Sequence, residues 1–201
     1  AATITGNEIA GGTITGDKLV AGTIQTGQLA ANAVTASKMV IGNFTNLVPN
    51  GNFETGDLTG WGPQGSPGNI IITPGVSNSP SYNCVRFIGN GTTVSMMSHD
   101  TYPSGKGIAV KPGETYRVSV AARSGGSPAP TGVRVYIWGR DRFNALSAMT
   151  SYPITPISST FNDYPFDFTI PADYAEAWVY LYWAASEVGS NVYWTNVRLI
   201  R

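Results

Sequence analysis

The sequence predicts an all-β chain. A two-sheet jelly-roll β-sandwich is expected over residues 47–201, preceded over residues 1–46 by a short repeat stalk. Three observations predict it. Residues 47–201 break into strand-length runs rich in β-branched and aromatic residues, punctuated by Gly, Pro, Asn and Asp. Within those runs apolar and polar side chains alternate with a period of two, the pattern of a half-buried strand. The first forty-odd residues instead repeat every ten residues.

In the repeat, apolar side chains recur at Ile4, Ile14, Ile24 and Val34, and again at Ile9, Leu19, Leu29 and Met39. A Gly or Asn closes each unit at Gly12, Gly22, Asn32 and Gly42. The β-branched start of a unit favours an extended segment. The following residues tolerate a helical turn, with Asp17 or Ser37 as a cap. One strand plus one helical turn per ten residues is the expectation. Two large apolar side chains gain about 1.5–3 kcal/mol each on burial, whereas ordering ten backbones costs roughly 10–20 kcal/mol. The unit therefore needs neighbours, from the same chain or from copies of it. A flexible Gly/Thr-rich linker is the alternative, but linkers do not keep Ile, Leu and Met in register. The pattern ends near Phe44, which puts the boundary near residue 46.

Downstream, strands are expected at 51–54, 69–73, 83–88, 93–98, 107–110, 115–123, 132–138, 164–170, 175–183 and 191–200. Residues 110–116 read as a turn feeding a long strand. Only 141–149 has the composition of a short helix. Regular strand spacing over this length makes a sandwich of two sheets, and the stretch is long enough to bury a core without disulfides or metal.

Alternation separates core from surface. Val133, Val135 and Ile137 lie on one side of their strand, and Arg134, Tyr136 and Trp138 on the other. An Arg is rarely buried unpaired, so the aliphatic side is the core. Tyr116, Val118, Val120 and Ala122 oppose Arg117, Ser119 and Arg123. Val179, Leu181 and Trp183 oppose Glu176, Trp178, Tyr180 and Tyr182. Tyr164, Phe166, Phe168 and Ile170 form a further apolar stripe. Two strands thus carry aromatic triplets away from the core. On one sheet, Tyr136, Trp138, Trp178, Tyr180 and Tyr182 would make an exposed aromatic field beside Arg117 and Arg134. Sugars suit such a field, because pyranose C–H faces stack on aromatic rings and polar side chains take the hydroxyls. Loops or a neighbouring chain covering the rings are the alternative.

The chain carries 12 basic and 12 acidic residues, and 12% of its residues are charged, about half the globular norm. Neutrality argues against nucleic acid and removes the electrostatic attraction to anionic membranes. No apolar run is long enough to span a bilayer. Cys84 is the one cysteine, so no internal disulfide is expected, and it reads as a small strand residue. The absence of an initiator Met and of a signal peptide suggests a mature product or a fragment whose repeats continue upstream.

Five segments at 48–61, 81–87, 110–122, 168–171 and 193–199 occur in an order that resembles the carbohydrate-binding-module jelly rolls attached to bacterial glycoside hydrolases. They include ValProAsnGlyAsnPheGlu from 48 and GlyTrp at 60–61. The decapeptide stalk resembles the repeats of tailed-phage minor tail and tail-fibre proteins, where such a jelly roll often follows. That resemblance implies a homotrimer at the virion tail tip, with the eight repeat positions near its axis. It would contact host cell-surface polysaccharide and other tail proteins. Two alternatives are a structural spacer without sugar binding and an accessory module of a secreted bacterial glycosidase. No cofactor is required, but the jelly-roll resemblance implies a structural Ca²⁺. Glu54 matches the family's glutamate, and carbonyls near Asn50 and Asn52 match its other ligands. The family's usual Asp falls at Thr195, followed by Asn196, so the set Glu54, Asn52 and Asn196 is short of a carboxylate. Glu54 also reads as a turn-capping or salt-bridged residue. Trp61 reads as core.

No catalytic set emerges, and no enzymatic activity is expected. His99 is the lone histidine, which supports neither a Ser/His/Asp triad nor a metal cluster. The Gly-containing segments 65–68 and 90–92 lack the Lys and the helix of a phosphate cradle. Glu176 is a single acid on the aromatic side, whereas glycosidases use two facing carboxylates.

Overall fold

A computed structural model describes residues 45–99, 105–154 and 157–201. The decapeptide repeats, with the core positions from Ile4 to Met39, lie outside the described residues. What is described is two antiparallel sheets with strands numbered in chain order. The front sheet runs β1 (Trp61–Gly65), β4 (Val94–Ser98), β10 (Tyr174–Trp183), β7 (Val133–Asp141), β8 (Leu146–Pro153). The two-residue β5 (Ile108–Ala109) pairs with β10 at Glu176 and Ala177, further along the edge that β4 occupies. The back sheet runs β2 (Ile70–Pro74), β3 (Asn83–Ile88), β11 (Ser190–Ile200), β6 (Thr115–Gly126), β9 (Asn162–Thr169).

The core lies between the sheets, on the faces that alternation selects. Val133, Val135, Ile137, Val179, Leu181 and Trp183 come from the front sheet. Val118, Val120, Ala122, Phe87, Val192 and Trp194 come from the back. Tyr164 and Phe166, the outer half of the β9 stripe, are only partly buried. They sit towards the edge of the sandwich, where Phe166 stacks on Tyr152 of β8 (centroids 3.5 Å apart). Trp61 is core as expected, tilted against Phe53 at 5.6 Å, and its indole N–H donates to Asn50 O (3.2 Å).

Two elements differ from the sequence expectation. Residues 51–54 form a turn and not a strand. Asn50 and Phe53 both adopt positive φ, a conformation that excludes a continuous strand. The first strand is β1, which Pro63 and its flanking glycines disguise. It is an edge strand, where a proline costs no ladder hydrogen bond. Residues 141–149 form a hairpin and not a helix. The Asp141 carboxylate accepts the N–H groups of Phe143 (2.9 Å) and Ala145 (2.8 Å), and Asn144 takes positive φ. This local turn chemistry feeds β8 onto the free edge of β7, and sheet pairing overrides the helix-tolerant composition.

Candidate functional site

The outer face of the front sheet is built by register. Across β7 and β10, Trp138 faces Trp178, Tyr136 faces Tyr180 and Arg134 faces Tyr182. Met97 and Ser95 of β4 continue the rows of Tyr180 and Tyr182. Ser151 of β8 continues the row of Tyr136, and Ala148 that of Trp138. Cross-strand aromatic neighbours of this kind stabilise a sheet by their own packing.

Four rings form a connected set. Tyr136 meets Tyr182 edge-on at 5.3 Å and Tyr180 at 6.1 Å, and Trp138 meets Tyr180 edge-on at 6.1 Å. All four are half-buried. Edge-to-face packing of this kind suits the ring quadrupoles. It leaves faces and edges of different rings turned outward, so the surface is stepped and not a flat platform. Polar groups flank it: Tyr180 hydroxyl donates to Ser95 Oγ (2.9 Å), and Arg134 donates to Ser151 Oγ (3.2 Å).

Two of the residues expected in this field do not belong to its accessible part. Trp178 is on the correct face but fully buried. The segment before β5 lies across it: a Cβ built on Gly107 would sit 2.8 Å from the indole. Arg140 lies over the same ring at 5.2 Å, donates to Gly105 O (3.0 Å) and pairs with Glu176 at 3.6 Å. Arg117 is on the other sheet altogether. It projects from the back face and makes a two-pronged, exposed ion pair with Asp167 (2.7 and 2.9 Å). Alternation distinguishes inside from outside but does not say which sheet a strand joins. Ser95, Ser151, Met97 and Arg140 belong to this face and were not anticipated. Every residue of β4 is buried, so alternation carries no signal there.

The residues expected at a cation site lie in the turn at 50–54 and on β11. Asn196 Oδ1 accepts from Arg198 Nε (2.9 Å), and Glu54 is exposed. Phe53 O accepts from Asn83 Nδ2 (2.9 Å), and Asn83 O accepts from Thr195 Oγ1 (3.1 Å). The turn at 50–54, β3 and β11 are thereby tied by side-chain hydrogen bonds. Gly51 lets β11 approach, because a Cβ there would lie 2.0 Å from Val197 O. Among the described residues no three His, Cys, Asp or Glu side chains cluster as metal ligands. Within the expected set Glu54 is the single carboxylate, and it is exposed, whereas a hard cation takes several oxygens including carboxylates.

A family model described as a carbohydrate binding domain matches residues 45–187. The chain belongs to that family. Solved structures with the same fold include the second Family 16 Carbohydrate Binding Module (TM-score 0.58, 18% identity, 78% of this chain and 100% of that one). Tailspike protein 4 of bacteriophage CBA120, in its enzymatically active domain, has a TM-score of 0.59 at 17% identity over 78% of this chain. This match spans 21% of the tailspike chain. The CBM22-1 and GH10 modules of Clostridium thermocellum xylanase 10B, complexed with xylohexaose, give 0.54 at 13% identity, covering 80% of this chain and 28% of that one. At these identities the likeness is one of fold. No curated protein matches the chain.

Proposed function

We propose that this domain is a non-catalytic saccharide-binding module that takes its ligand on the outer face of the front sheet. The observation that carries the reading is the connected, half-exposed set Tyr136, Trp138, Tyr180 and Tyr182 on a chain of the carbohydrate binding domain family. Sugar C–H faces would stack on Trp138 and Tyr182, while Arg134 and Ser151 take hydroxyls. Arg140 and Glu176 act through Trp178, holding the floor on which Trp138 stands. This reading needs no structural calcium.

The proposal extends to assembly. The decapeptide repeat would join three copies, as in tail-fibre proteins, and present three weak sites to a host-surface polysaccharide by avidity. The setting would be extracellular, at a phage tail tip. An accessory module of a secreted glycosidase shares the same binding face and differs in what residues 1–46 do. No helix among the described residues is long and apolar enough to cross a membrane.

Affinity electrophoresis against cell-wall and plant polysaccharides tests the binding. Retardation that Trp138→Ala and Tyr182→Ala abolish is expected, and equal migration of parent and variants with every polysaccharide would sink the reading. Sedimentation of the chain with and without residues 1–46 tests assembly. A monomer in both cases contradicts the trimer.

A further inference from the structure

The outer face of the back sheet carries a feature that the saccharide reading does not use. Arg86 of β3, Tyr193 of β11 and Arg123 of β6 lie side by side in register. The guanidinium carbon of Arg123 is 4.8 Å from the Tyr193 ring centroid and 5.5 Å from that of Phe161. Arg86 takes up Tyr193 at 5.7 Å. The result is a ladder, Phe161–Arg123–Tyr193–Arg86. Gly125 makes room for it, because a Cβ there would sit 2.8 Å from the Tyr193 ring.

The arginines of this ladder, like Arg134 and Arg198, differ from those in the fold that pair with carboxylates. Arg117, Arg140, Arg142 and Arg201 each pair with a carboxylate. Among the described residues Arg86 and Arg123 have none. Arg86 is satisfied in part by Asn191 Oδ1 (2.8 Å). Arg123 Nε is buried without a hydrogen-bond partner, a costly state for a charged group unless something completes it.

Beside the ladder is an open cleft of about 360 Å³, within the range of small-molecule sites. Its floor is Ala121. The 78–80 loop forms one wall, with Asn78 and Ser79. Phe161, Asn162 and Asp163 form the other. Phe161 is common to cleft and ladder, so a ligand seated in the cleft reaches the ring that sandwiches Arg123. The lining supplies amides, a hydroxyl, an aromatic face and the Asp163 carboxylate, which suit the C–H face and hydroxyls of a sugar ring. The ladder supplies two positive charges without counter-ions.

We propose that this back-face cleft is a second binding site, distinct from the front aromatic face, for an anionic glycan unit bearing a carboxylate or a phosphate. The anion would sit at Arg123, whose guanidinium the two rings hold in one orientation. Arg86 would attract the next charge along the chain, and Asn78, Asn162 and Asp163 would take the ring hydroxyls. A charge-assisted contact at a pre-oriented guanidinium discriminates acid from neutral sugar.

Calorimetric titration in a Trp138→Ala background tests the site with the front face impaired. The probes are an oligogalacturonate, a glycerol-phosphate oligomer and a neutral galactan oligosaccharide. Binding of either acidic probe, at least about tenfold tighter than the neutral one and weakened by added salt, is expected. The preferred probe names the anion. Arg123→Gln, checked for native melting, should lose about tenfold or more, and so should Arg86→Gln on the next rung. Indifference of both variants, or equal affinity for acidic and neutral probes, overturns the proposal. Because the background lacks Trp138, failure here leaves the front-face reading standing, and failure at the front leaves this one.

Discussion

The two outer faces of the sandwich begin from the same sequence device and end in different chemistry. Each comes from strands whose alternate residues point away from the core. On the front, those residues are aromatic and pack on one another, so burial continues through the sheet to a second small apolar layer around Trp178 and Met97. On the back, one row alternates rings and charges, Phe161–Arg123–Tyr193–Arg86, and neither of its guanidinium groups pairs with a carboxylate. The lesson is that outward-pointing and available are different properties. Trp138 and Trp178 are direct cross-strand partners on the same face, yet one is half-exposed and the other is sealed by the Gly107 segment.

That contrast is sharpest in the tryptophan pair, where the largest effects are expected. Trp178→Ala should cost about 3–5 kcal/mol of stability, as for a large buried aromatic, and thermal denaturation reads it. Trp138→Ala should melt close to the parent while losing polysaccharide binding. Similar losses of stability in both variants would break the distinction between floor and surface. Next comes Gly107→Val. Its Cβ would meet Ala177 O and the Trp178 ring, each at 2.8 Å, so a loss of about 1–3 kcal/mol is expected from overpacking. A variant as stable as the parent would mean that the Gly107 segment is not a fixed cover.

The third test moves to the seam between turn and sheet. Thr195→Val removes the donor to Asn83 O and should cost about 1–3 kcal/mol. A chelator should leave the melting temperature of the parent unchanged. A chelator-induced drop would reinstate a cation at Glu54, Asn52 and Asn196.

The fourth is pH. Hydrogen bonds from Thr55 and Thr59 hold the Asp57 carboxyl below its ordinary value, and the Arg117 hydrogen bond does the same for Asp167. At Glu187 burial pushes upward, but hydrogen bonds from Thr131 and Trp183 outweigh it and the carboxyl is again lowered. Groups with a lowered folded-state value contribute stability above their ordinary values, and that contribution disappears as pH falls through the lower folded values. Melting temperature should therefore hold from neutrality to about pH 5 and fall below about pH 4. A rise in stability on acidification would contradict these partners.

The smallest effect belongs to Arg117→Ala. Its ion pair with Asp167 is exposed, and such pairs contribute little, so neither melting nor front-face binding should change. Loss of saccharide binding in this variant would move the ligand to the back sheet.

Much of the fold was legible because alternation is a local property. Val133, Val135 and Ile137 lie on the core side of β7, as Arg134 on the opposite face requires. Long strands with β-branched residues were recognisable from their own composition. The short edge strand β1 was not, because Pro63 and glycines carry no strand signal. The hairpin at Asp141–Ala145 carries no clear strand signal because LeuSerAlaMet also suits a helix, and only the waiting edge of β7 selects the strand.

The sequence by itself determined the all-β class, the division of each long strand into core and surface sides, and the aromatic character of one surface. The tertiary structure decided the rest of the site. Hydrogen bonding between strands far apart in sequence assigned Arg117 to the back sheet and Arg134 to the front. A loop arriving from residues 105–107 turned Trp178 from surface into interior. The meeting of the 78–80 loop with Phe161 and Asp163 made a cleft that neither segment contains alone. The physical reason is the same in each case. Alternation follows from backbone geometry one residue at a time, whereas sheet membership, cover and clefts depend on which distant segments pack together.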